Sequence, residues 1–175
     1  TDNAGLKRIR LRLKVAPATE IGILEQQELG KHDLIILGAS GQRYGTMSRL
    51  LGLAPVALKV ATHAPCSVLI SRNLEEGKGH LICVDDSKRS MNFVRKTARI
   101  AQRCHCPISL LSIALTEEER PKAEAVIQRS QETLKEMDIP VQETFIWVGD
   151  PVEAIIREGR NHSLVVLGET SYSGF

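Results

Sequence analysis

Three groups of residues in this sequence are of types that can do chemistry. The first is a set of glycines. Leu34-Ile35-Ile36-Leu37 is an apolar run of strand length that stops at Gly38; Gly41 follows three residues later, and Gly52 lies further on. Glycines just past a strand let backbone amides approach an anion, and a following helix points its positive end at the same place. A strand, a glycine-rich turn and a helix therefore suggest a nucleotide or phosphate site; the competing reading is a plain βα turn in which glycine serves only the geometry. The second group, Asp85-Asp86-Ser87, closes the apolar run 81–84. Two carboxylates there can hold Mg²⁺ beside a nucleotide, or only cap the next helix, which is the simpler reading. The third is Cys104-His105-Cys106. With one histidine and no second ligand pair, this is not a zinc spacing. It reads as a helix end passing into a strand, and no metal ligand is assigned. There is no Ser-His-Asp arrangement, nucleophile elbow or P-loop lysine, so no catalytic residue is assigned either.

Composition narrows the classes. With 175 residues, 42% of them hydrophobic and 25% charged, the chain can build a real core in one or two domains. Aromatics make up only 3%, so that core must be aliphatic. A net charge of +2 gives no electrostatic case for nucleic acid or an anionic membrane. No apolar run approaches the ~20 residues of a membrane span, and no signal-peptide pattern opens the sequence. Cys66 and Cys83 lie in apolar strand-like segments and act there as small hydrophobes, which suits a reducing cytosol.

The positioning elements follow from periodicity. Residues 8–15 alternate basic and apolar and predict a half-buried edge strand whose basic face discourages edge pairing. Residues 19–29 predict a helix with Ile21, Leu24 and Leu29 on one face and Gly30 as its left-handed terminator. The strand at 34–37 is apolar throughout, which predicts burial on both faces. A helix through Met47 to Val60, offset near Gly52 and Pro55, leads to a strand at 67–71, and residues 73–79 read as a linker. From Leu81 the order β-α-β-α-β-α-β predicts a parallel sheet with helices on both faces. Asp150-Pro151-Val152-Glu153 is a strong helix start.

Part of the chain occurs twice. Lys31-His32-Asp33-Leu34-Ile35-Ile36-Leu37-Gly38-Ala39-Ser40 aligns with Asn161-His162-Ser163-Leu164-Val165-Val166-Leu167-Gly168-Glu169-Thr170, and each copy follows a helix with proline near its start. Together with DLIILGASG (33–41), SRLLGLAPVALKVATHAPCSVLISR (48–72), LICVDDS (81–87) and GDPVEAIIREGRNHSLVVLG (149–168), this resembles the universal stress protein family over nearly the whole chain. The resemblance implies an α/β, Rossmann-like, doubly wound parallel sheet of order 3-2-1-4-5, here as a tandem repeat. Residues 1–72 would be the C-terminal part of a first domain, 73–79 the linker, and 80–175 a second domain lacking its last helix and strand. A single permuted sheet is the alternative.

The resemblance also implies where a nucleotide would sit. ATP-binding members carry a Gly-x2-Gly-x9-Gly-(Ser/Thr) loop after the fourth strand and an aspartate at the end of the first. Transferred by residue, cofactor contacts fall on Asp85, Ile113, Leu167 and Gly168 in the second unit and on Leu37, Gly38, Gly41 and Gly52 in the first. Gly52 is one residue late, Leu53 stands where Ser or Thr is expected, and Ser171 replaces a glycine. The leading expectation is a cytoplasmic stress-response module that binds ATP, with Mg²⁺ as its companion ion, or has lost that ability, and that acts through association as a homodimer. The alternative is a ligand-free regulatory or dimerisation domain, such as the soluble tail of a transporter. Enzymatic turnover, at most weak ATP hydrolysis, ranks third.

Overall fold

The protein is described by a computed structural model covering residues 11–38, 55–71 and 77–168. It divides into two compact units, Thr1–Asn73 and Leu74–Phe175. Gly41, Gly52 and most of the sequence-predicted linker fall outside the described residues.

In the first unit, helix α1 (Thr19–Gly30) leads to strand β1 (Leu34–Gly38), and helix α2 (Pro55–His63) to strand β2 (Ser67–Ser71). The strands pair in parallel, Leu34 opposite Ser67 and Gly38 opposite Ser71. Lys59 of α2 contacts Glu20 of α1 at 2.6 Å, and that ammonium holds the Glu20 carboxyl below its usual range. Four expectations are corrected here. Ile35 of β1 is buried, whereas Leu34 and Ile36 are open, Ile36 being 64% exposed; only one face of this sheet is covered among the described residues. Residues 11–15 form no strand, and Leu13 is 99% exposed. Alternation marks two faces, but a strand also needs a backbone partner, and none of the described strands pairs with this segment. In α1, Leu29 is exposed and Gln27 is buried, its side-chain amide donating to the His32 carbonyl at 3.1 Å. Lys31, not Gly30, takes the left-handed conformation that ends α1.

The second unit runs β3 (His80–Val84), α3 (Lys88–Cys104), β4 (Ile108–Ala114), α4 (Arg120–Lys135), β5 (Val141–Val148), α5 (Pro151–Gly159) and β6 (Leu164–Val166), with a short 3₁₀ turn, Glu117–Glu119, ahead of α4. All pairings are parallel, in the order β5-β4-β3-β6. The chain thus steps outward from β3 through β4 to β5 and then returns to the other side of β3. Right-handed crossovers place α3 and α4 on one face and α5 on the other.

Side-chain spacing builds the core. Ile82 and Val84 of β3 alternate with Leu81, so both faces of the strand are buried. Ile82, Val84, Ile108 and Leu110 pack with Val94, Ala98 and Ala101 of α3 and with Val126, Ile127 and Leu134 of α4. The inward stripe of α3 is Ser90, Val94, Thr97, Ala98 and Ala101. Ile100 lies outside this stripe and is 58% exposed. The described helices include none long and apolar enough to cross a membrane.

Candidate nucleotide site

A parallel sheet leaves the carboxyl ends of its strands on one edge, and a crevice opens there where successive connections diverge to opposite faces. In the second unit that point lies between β3 and β6, because β3 feeds α3 on one side while β6 arrives from α5 on the other.

Register places the candidate residues along this edge. Val84 pairs with Ser112, so Asp85 and Ile113 lie one step beyond that pair. Ile82 pairs with Val166, and Leu167 and Gly168 follow directly. Asp85, Ile113, Leu167 and Gly168 therefore share the carboxyl edge of one sheet. Leu37 and Gly38 end β1 in the other unit, opposite Ile70 and Ser71.

Asp85 sits in a network of short polar bonds. Its Oδ1 accepts the Ser87 N–H at 3.0 Å, an aspartate turn, and its own N–H donates to Ser90 Oγ at 3.2 Å. Ser87 Oγ accepts the Ser90 N–H at 3.2 Å and is the helix cap. The cap is thus the serine after the two aspartates; Asp85 acts one step earlier, by holding Ser87 in place. The carboxylate is exposed at the start of α3, where the helix dipole favours negative charge.

Gly168 has a distinct signature. A Cβ built there would meet the Phe93 ring at 3.7 Å, an ordinary contact, and its backbone is not left-handed. Among the described residues, neither dihedral nor packing requires glycine at this position. Ile113 is half-buried and pairs with Trp147 of β5. The Trp147 ring lies under Arg157 Cζ at 4.6 Å, and its Nε1–H donates to Glu158 at 3.1 Å. Sequence reasoning passed over Trp147; as the one tryptophan in the chain, it was the available signal.

The Cys-His-Cys stretch lies at the opposite, amino-terminal edge of the sheet. His105 is exposed and left-handed at φ 53°, while Cys104 and Cys106 stand near His80, the first residue of β3.

Comparison with known proteins comes to bear on this geometry. Residues 3–72 match the family model described as the universal stress protein family. A search of curated proteins finds no match. A universal stress protein from Archaeoglobus fulgidus DSM 4304 superposes with a TM-score of 0.65 at 16% identity, over 89% of this chain and 55% of that one. One assigned to the same class from Pseudomonas aeruginosa UCBPP-PA14 superposes with a TM-score of 0.63 at 17% identity, over 91% of this chain and 60% of that one. The chain thus spans little more than half of either structure, and at these identities the likeness is one of fold.

Proposed function

We propose that this chain is a universal-stress-type module built of two related α/β units, whose second unit carries part of an adenine-nucleotide site. The observation that carries this reading is the shared edge at the switch point between β3 and β6, where Asp85 and Gly168 come together. Asp85 would take a hydroxyl or amine of the nucleoside, and Gly168 would let the backbone approach a phosphate. Mg²⁺ would accompany the phosphates. Ser171 in place of the next loop glycine weakens phosphate binding. Each missing charge-assisted hydrogen bond removes roughly 1.5–3 kcal/mol, or about ten- to hundredfold in affinity.

The expected outcome is therefore weak ATP binding by this chain alone, high-micromolar or weaker, measured by calorimetry at millimolar nucleotide. Asp85→Ala weakens whatever binding is found, and Gly168→Val removes it. Low-micromolar affinity unchanged by both substitutions would place the site elsewhere.

A ligand-free regulatory or dimerisation domain is the second reading. It is favoured by the bond from Ser87 N–H to Asp85 Oδ1, which already occupies one carboxylate oxygen. The open apolar residues Leu34, Ile36 and Leu69 of the first unit support action through association in both readings. A cytoplasmic, non-catalytic role in stress response follows from the family likeness alone.

A further inference from the structure

The Cys104–Cys106 turn is preorganised by its backbone. Helix α3 ends in a full Schellman motif: the His105 N–H donates to the Gln102 carbonyl at 3.3 Å, and the Cys106 N–H to the Ala101 carbonyl at 3.0 Å. With His105 in the left-handed region, the residues before and after it turn toward each other. The Cys104 and Cys106 Sγ atoms lie 2.7 Å apart, and neither cysteine is in a disulfide.

A third group arrives from β3. The His80 N–H donates to the carbonyl of Pro107, the residue after Cys106, at 2.8 Å. This close approach needs glycine at the preceding position: Gly79 has φ +74°, and a Cβ there would lie 2.8 Å from the Pro107 carbonyl oxygen. His80 Nε2 then stands 3.9 Å from Cys104 Sγ, and the donor atoms of His80, Cys104 and Cys106 all lie within 4.8 Å of one another.

The imidazole presents Nε2 to that cluster. His80 is only 6% exposed, and among the described residues its Nε2 meets Cys104 Sγ while Nδ1, on the far side of the ring, has no hydrogen-bond partner. Facing a weak thiol partner, Nε2 is the nitrogen placed to take an ion.

We propose that His80, Cys104 and Cys106 form a binding site for a thiophilic cation of the Zn²⁺ class. Two sulfurs and one imidazole nitrogen are the donor types such ions select. Tetrahedral geometry at the usual bond lengths sets the nitrogen–sulfur separation at roughly 3.6 Å and the sulfur–sulfur separation at roughly 3.7 Å. The first is already close to the 3.9 Å seen, and the second needs the two thiols to part by about 1 Å through side-chain rotation. On binding, each thiol releases its proton to solvent, so two thiolates and a neutral imidazole balance the dication. Cys104 is exposed, which gives the ion a route in and leaves a fourth coordination position for water.

The test is a Zn²⁺ titration of the reduced 175-residue chain against a chromophoric chelator, with Co²⁺ as a spectroscopic probe. One equivalent should bind, and Co²⁺ should show thiolate charge-transfer absorption. Cys104→Ser and Cys106→Ser should each weaken binding by at least roughly 100-fold and His80→Gln by roughly 10-fold or more, given that second-shell changes alone cost 10–100-fold. His105→Asn, which keeps the left-handed turn, should leave affinity unchanged. Circular dichroism checks each fold, and the surface Cys104→Ser variant decides the matter if His80→Gln fails to fold. Absence of binding, binding indifferent to the cysteine substitutions, or loss of affinity in His105→Asn would overturn the proposal. So would formation of a Cys104–Cys106 disulfide, read as loss of two hydrogens in the mass, with saturating Zn²⁺ present.

Discussion

Asp85 and Gly168 make different demands on the chain, and substitution separates them. Gly168 needs neither a left-handed backbone nor an absent side chain to satisfy the described structure, so Gly168→Ala should shift stability by less than about 0.5 kcal/mol in urea unfolding. A large loss would mean that the glycine serves packing after all. Gly79 is the opposite case, because its positive φ and its contact with Pro107 both exclude a side chain. Gly79→Ala should cost more than about 1 kcal/mol and loosen the start of β3. Cys83 shows how desolvation governs reactivity: the residue is half-buried, and its apolar surroundings push the thiol up to about 12. At pH 8 the thiolate fraction is then on the order of 10⁻⁴, and iodoacetamide should leave Cys83 unmodified in the folded chain while labelling exposed Cys104. Rapid labelling of native Cys83 would contradict that desolvation.

At the scale of elements, caps and stripes do most of the specifying. Asp150 Oδ1 accepts the Glu153 N–H at 2.8 Å, with Pro151 at the first position of α5, a start legible in the sequence because it depends only on four neighbouring residues. Ser87 does the same for α3. Asp150→Ala and Ser87→Ala should each cost about 1 kcal/mol, read as a lower urea midpoint with unchanged slope. Leu134, fully buried on α4 against the sheet, is a heavier test, and Leu134→Ala should cost about 2–5 kcal/mol. A value below 1 kcal/mol would show that this helix is not packed as described.

For the whole molecule, the question is what covers the first unit. Its described strands, β1 and β2, form a pair too small to be stable without support, and among the described residues β2 is paired on one side only. Exposed Leu34, Ile36 and Leu69 add an apolar face to that unpaired edge. Association would cover both. Light scattering should therefore detect self-association at tens of micromolar, and charge on this face, as in Ile36→Lys, should reduce it. A strictly monomeric particle would reject association through this surface.

Local pattern determined most of the second unit. The order of strands and helices and the start of α5 were readable because each depends on apolar runs, periodic spacing or a cap within a few residues. Asp85 was readable in the same way, as the end of an apolar run, whereas Gly168 was singled out by the internal repeat and the family resemblance. Only tertiary structure decided how apolar segments were used. Residues 11–15 alternate like a strand but pair with no described strand, and β1 is apolar throughout yet covered on one face, since periodicity identifies a surface and not what meets it. The same holds for chemistry. Cys104-His105-Cys106 lacks a usable set of ligands along the chain, and His105 points the reading to the wrong imidazole. His80, twenty-four residues earlier, joins the two thiols because parallel pairing sets it opposite Ile108 and Gly79 lets it approach Pro107.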